Sequence, residues 1–140
     1  MTWYLAAFLS AVFAALTTIL AKIGIQNVNS NLGTAIRTSV ILLFTWGIVF
    51  FQGGLSGLGQ IKTQAWVFLV LSGIATGLSW LFYFRALQLG DASKVVPIDK
   101  LSLVLTIILA GLFLKEKITL SILFGSVLMT VGAIIIAYAK

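Results

Sequence analysis

Five apolar runs, each interrupted by few charges, alternate with short polar connections along the 140-residue chain. A helix that crosses a bilayer needs about 20 mainly apolar residues, and each run meets that length. The first extends from Trp3 to Ala21 and is followed by Lys22 and the polar loop Gln26–Asn31. The second covers Leu32–Phe51 and ends at a Gly-rich linker, Gln52–Gln64. The third is Ala65–Leu89, and the connection Gly90–Lys94 leads to the fourth, Val95–Leu114. Lys115-Glu116-Lys117 then turns the chain into the fifth, Ile118–Ala139, before Lys140. Barrel strands are shorter and alternate, so the pattern predicts an all-α, polytopic membrane bundle of five transmembrane helices in a single domain over residues 1–140. In the short connection, Gly90 is expected at a helix C′ position and Asp91 or Ser93 at the next N-cap.

Inside the runs the polar residues gather on faces. Ser72, Thr76, Ser79 and Tyr83 recur at spacings of four, three and four, and Asp99, Ser102 and Thr106 do the same in the fourth run. Thr34, Thr38 and Thr45 make a weaker stripe in the second. Such stripes look toward a bundle interior or a wet cavity, or serve as hydrogen-bonding glue between helices. Gly73 and Gly77, and Gly125 and Gly132 with Ser121, are small-residue faces expected to mark close helix packing.

Composition sharpens this picture. Hydrophobic residues make up 61% of the chain and charged residues 9%, against about a quarter charged in a soluble domain. Mean hydropathy is +1.17, so lipid is the expected solvent. The first run lacks a basic leader and is too long for a cleavable signal, so it reads as a retained span. Cysteine and histidine are absent, which excludes disulfides, thiol chemistry, Cys/His metal sites and a Ser-His-Asp triad. Three carboxylates separated by apolar helix make a poor metal cage. No catalytic residues, cofactor or metal are expected, and the chain does not read as an enzyme. The net charge of +6 is spread singly over helix ends, without the basic stripe that nucleic acid requires.

Charge placement is the main functional clue. Arg37 lies about five residues into its run, Arg85 about four from the end of its own, and Lys100 at similar depth, roughly 6–8 Å at ~1.5 Å per residue. Because direction alternates, all three fall on one side and could form a cationic layer with Asp99 as the nearby carboxylate. Long basic side chains near helix ends can also snorkel to headgroups. Asp99 cannot reach far and needs a partner, for which Arg85 or Lys100 is placed. Pro97 either sits in the first turn or, if the helix begins earlier, loosens it and frees backbone groups near Asp99. Loop lysines divide three (Lys62, Lys115, Lys117) against three (Lys22, Lys94, Lys140). Adding the three buried cations favours an inside C-terminus, while the near balance also fits insertion in both orientations.

Taken in order, these parts resemble the EamA domain of the drug/metabolite transporter superfamily. The resemblance rests on the aromatic-rich run and tail Phe82–Gly90, the proline-bearing span Val95–Leu114, the turn Leu112–Thr119 and the glycines of Gly125–Gly132. Ala35-Ile36-Arg37 adds to it in the second span. Lys115 stands where the family often has Gly, and Leu103 where many members have a second proline. The resemblance implies half of a ten-span inverted-repeat transporter, a homodimer that is possibly antiparallel, and an inner membrane of bacteria or archaea as its place. The activity it implies is secondary transport of small metabolites. The expected cavity is lined by Arg37, Ser72, Thr76, Ser79, Trp80, Tyr83, Arg85, Asp99, Lys100, Ser102 and Thr106. There the cations attract an anionic or amphipathic substrate, Trp80 and Tyr83 pack its planar or apolar part, and Asp99 gates or carries a proton. Glu116 reads as a helix-end contact. The competing expectation is a non-transporting membrane subunit that holds anionic lipid or a partner membrane protein.

Overall fold

The fold follows from where caps, prolines and apolar runs place the helix ends. The computed structural model describes residues 2–139, so Lys140 and its part in the charge count lie outside the described residues. Helix α1 is Trp3–Gly24, α2 is Ser30–Phe51 and α3 is Thr63–Leu89. The fourth span is split into α4, Ala92–Asp99, and α5, Ser102–Leu109, and ends in a π turn, Ala110–Leu114. Helix α6 is Leu120–Tyr138. With Ala92–Leu114 taken as one run, five helical stretches are long and apolar enough to cross a membrane. No strand is present among the described residues, so the protein is an all-α, multi-pass membrane protein.

Caps explain several boundaries. The Asn29 side chain accepts from the backbone N–H of Asn31 at 2.9 Å and of Leu32 at 3.4 Å, which starts α2 two residues before its apolar run. Thr119 caps α6 by accepting from Ile122 N–H at 3.4 Å. Asp91 occupies the N-cap position of α4, but its carboxylate makes no capping bond. Gly90 does not take the left-handed conformation expected of it; among the described glycines that conformation belongs to Gly53, with φ 69°. Gly53 lets the chain leave α2 and enter a 3₁₀ helix, Gly54–Gln60, inside the segment expected to be a plain linker.

The fourth span breaks three to four residues after its proline. The span begins at Ala92, so Pro97 falls in the second turn, where it has no N–H to give to the ladder. Downstream the bonding tightens to i→i−3: Leu101 to Ile98 at 3.0 Å, Leu103 to Lys100 at 3.0 Å and Val104 to Leu101 at 3.1 Å. The span is interrupted without a second proline at Leu103. At the far end the chain reverses through Lys115, a non-glycine residue at φ 55°. A Cβ on Gly111 would fall 2.7 Å from the Cδ1 of Ile118, so the returning turn sits directly on that glycine.

The chain divides into two compact units. One is Ala21–Gln88; the other joins most of α1 to residues 89 onward. In the first, Ile25, Phe84 and Leu87 are buried, and Ile25 and Phe84 pack beside Gly33 of α2. In the second, α4 packs along α6, with Ser126 and Ala133 buried. Buried hydroxyls are satisfied within their own helices, Thr34 donating to Ser30 C=O at 2.9 Å and Ser126 to Leu123 C=O at 2.8 Å. Gly73, Gly77, Gly125 and Gly132 meet nothing within 4 Å, so the small-residue faces do not pack within the chain. Most large apolar side chains are exposed, as lipid-facing residues must be.

Candidate functional site

The clearest polar construction in the apolar interior is in the unit Ala21–Gln88. The Arg37 guanidinium carbon lies 3.5 Å from the centroid of the Trp80 ring and 5.9 Å from that of Phe84. Trp80 is held edge-on by Tyr83 at 5.3 Å and by Phe84 at 5.8 Å. Phe84 is 3% exposed and anchors the group, whereas Arg37, Trp80 and Tyr83 are half-buried. A cation flat on an indole is stabilised by about 0.5–2 kcal/mol, more as water is withdrawn. Stacking uses the faces of the guanidinium and leaves its N–H edges directed outward in the plane. Arg37 makes no ion pair among the described residues. Arg37 is about seven residues into α2, roughly 10 Å from its start at ~1.5 Å per residue.

The second construction is the break between α4 and α5. Asp99 and Lys100 form an ion pair at 3.6 Å, with side chains 37% and 56% exposed. Sequence neighbours do not face each other on a helix, so this pairing relies on the local distortion. Ser102 and Thr106 follow on α5, and the Thr106 hydroxyl donates to Ser102 C=O at 2.8 Å. Lys100 lies about eight residues into its span and Arg85 about four from the end of α3.

Two open grooves of about 400 Å³ lie elsewhere, one between Thr45–Val49 and the 3₁₀ helix, the other under Ile108, Gly111, Leu112, Glu116 and Ile118. None of the expected cavity residues lines either groove.

The order of the parts and the broken proline-bearing span converge with comparisons to known proteins. The profile of the EamA-like transporter family matches residues 1–138. This chain belongs to that family. An uncharacterized transporter from the cobO 3′ region of Sinorhizobium sp. is 48% identical over 136 residues, covering 97% of this chain and 96% of the relative. An uncharacterized protein of Methanocaldococcus jannaschii is 34% identical over 71 residues, 51% of this chain and 52% of that protein. No solved structure matches. Family and relative together establish a membrane transporter in general terms.

Within this EamA-like chain the expected cavity residues fall into separate groups. Arg37, Trp80 and Tyr83 come together. Ser72, Thr76 and Ser79 are exposed on α3, and the Thr76 hydroxyl is spent on Ser72 C=O at 2.8 Å. Arg85 is exposed and donates along its own helix to Gln88 Oε1 at 3.5 Å. Asp99, Lys100, Ser102 and Thr106 belong to the other unit.

Two residues of the corner were not recognised in the sequence. Gln88 donates through Nε2 to Ile25 C=O at 3.1 Å and also to Val28 C=O, tying the α1–α2 loop to the end of α3. Lys22 donates to Leu87 C=O, one of the orphan carbonyls of the last α3 turn. Gln88 lies in the very tail, Ala86-Leu87-Gln88-Leu89-Gly90, that carries the family resemblance, and that was the available signal.

Proposed function

We propose that the chain is a five-span half of a secondary transporter that moves small metabolites by alternating access across the inner membrane of a bacterium or archaeon. The working unit is a homodimer, with an inverted second copy supplying the other half of the ten-span arrangement. The Sinorhizobium relative, which is named as a transporter, is matched over 96% of its own length, in support of a working chain of this size. The observation that carries the reading is Arg37: a guanidinium deep in a span, held on Trp80 and without an ion pair among the described residues. A charge in that position is costly unless it meets a counter-charge, which an anionic substrate provides. Trp80 and Tyr83 offer faces for an apolar or planar part of the cargo. Asp99 and Lys100, at the loosened α4–α5 joint, form a pair that is exchangeable as the span moves, and Arg85, Ser72, Thr76, Ser79, Ser102 and Thr106 complete the polar path.

A second reading rests on Arg85. It is exposed close to the end of α3, within reach of headgroups, as a permanent holder of anionic lipid would be. Reconstitution separates the two. Purified chain in proteoliposomes, screened against anionic and neutral metabolites, shows saturable uptake if the first reading holds. Absence of flux together with stoichiometric anionic lipid retained through purification contradicts it and supports the second.

A further inference from the structure

The Arg37–Trp80 contact sits at the closed end of a fork. At about 100° per residue, Gly73, Gly77, Trp80 and Phe84 share one face of α3, and Gly33, Arg37, Val40 and Phe44 share one face of α2. The two faces touch at Gly33 with Phe84 and at Arg37 with Trp80. Beyond those contacts they do not: Val40 is 62% and Phe44 68% exposed, and Gly73 and Gly77 meet nothing within 4 Å. The antiparallel helices therefore part above Arg37, leaving an apolar slot with a planar cation at its apex. The unit that builds the slot, Ala21–Gln88, contains Lys22, Arg37, Lys62 and Arg85 but no Asp or Glu.

We infer that the fork binds an amphipathic carboxylate, its head paired edge-on with Arg37 and its apolar body lying in the α2–α3 slot beside Gly73 and Gly77. A guanidinium stacked on a ring keeps its in-plane fork for two parallel N–H···O bonds, the geometry a carboxylate matches. Glycine on α3 leaves width for the body, and Val40, Phe44 and Trp80 exchange lipid contact for ligand contact. An ammonium group on the ligand finds no carboxylate in this unit, so amine-free acids bind better than zwitterions of the same length. This assignment rests on the transporter reading for its biological use, but as a binding site it stands on the geometry alone.

The experiment is equilibrium binding to the chain in zwitterionic nanodiscs, followed by emission of Trp80 in a Trp3→Phe, Trp46→Phe, Trp66→Phe background. The probes are hexanoate, hexanol and 6-aminohexanoate. Hexanoate is expected to saturate at least tenfold more tightly than either of the others. Arg37→Gln abolishes that preference, Arg37→Lys weakens hexanoate at least tenfold, and Lys62→Gln in the linker changes nothing. Equal affinity for hexanoate and hexanol in the wild-type background overturns the inference, even if Arg37→Gln fails to fold. So does undiminished hexanoate binding in either Arg37 variant. Selective binding without flux in proteoliposomes removes the transporter reading and keeps the site. Flux together with hexanoate binding no tighter than hexanol removes the site and keeps the transporter reading.

Discussion

At the scale of single residues, three positions bear weights that can be measured. Lys115 turns the chain in the left-handed conformation, which costs a non-glycine residue about 1–2 kcal/mol. Lys115→Gly is therefore expected to raise stability by about 0.5–1 kcal/mol, read from unfolding of the detergent-solubilised protein. Gln88 satisfies two loop carbonyls, and Gln88→Leu leaves both without it. A loss of about 1–3 kcal/mol is expected by the same measurement, with faster proteolysis in the α1–α2 loop. The sequence marked Arg37, Trp80 and Tyr83 as members of one cavity, because charge and aromatics in an apolar run are rare enough to notice. It did not show that Arg37 lies on the ring itself, since stacking is decided by how closely α2 and α3 approach near Gly33, which the residue pattern of either helix alone does not specify. Lys22 looked like one more topology lysine because its acceptor, Leu87 C=O, is a backbone atom 65 positions away and leaves no trace in side-chain pattern.

At the scale of elements, the five spans were legible from apolar run length alone, and their boundaries moved by only a few residues, at α2 and α6 beside a side-chain cap. Asn29 drew α2 back to Ser30. The fourth span is the instructive case. Its single proline lies in the second turn of a span that starts at Ala92, and i→i−3 bonding replaces the regular ladder around Lys100 and Leu101, a few residues further on. Pro97→Ala restores an N–H and is expected to fuse α4 with α5. The chain has no native cysteine, so Leu101→Cys reports the joint cleanly. Its alkylation should slow by about tenfold or more in the fused variant, in keeping with the ~3 kcal/mol or more that an interior proline costs a helix. An unchanged alkylation rate would mean that the break has another cause. The small-residue faces illustrate the opposite limit: their spacing was plain, but a Cβ on Gly125 or Gly132 would meet nothing within 4 Å among the described residues, and the buried positions of α6 are Ser126 and Ala133 instead.

At the scale of the whole molecule, family membership gives transport and the fold gives five spans, while the arrangement of two copies is what the proposal adds. An inverted homodimer has its two-fold axis in the membrane plane, so a helix at the axis can pair with its own copy only near mid-span. If α6 provides that contact, Met129→Cys forms disulfide-linked dimers in native membranes while Leu120→Cys and Tyr138→Cys do not; self-linkage along the full length of α6 would show parallel copies. The central claim is that the chain alone carries a small anion across a bilayer through a site containing Arg37, and counterflow in proteoliposomes tests it most directly. Vesicles loaded with unlabelled hexanoate and holding the wild-type protein should accumulate labelled hexanoate transiently and saturably. Arg37→Gln at equal incorporation should reduce the rate by about tenfold or more, the effect of ~1.4 kcal/mol of lost binding. Wild-type vesicles screened with hexanoate and the other anionic candidates that never exceed the leak of protein-free vesicles, or an Arg37→Gln rate equal to wild type, would contradict the account.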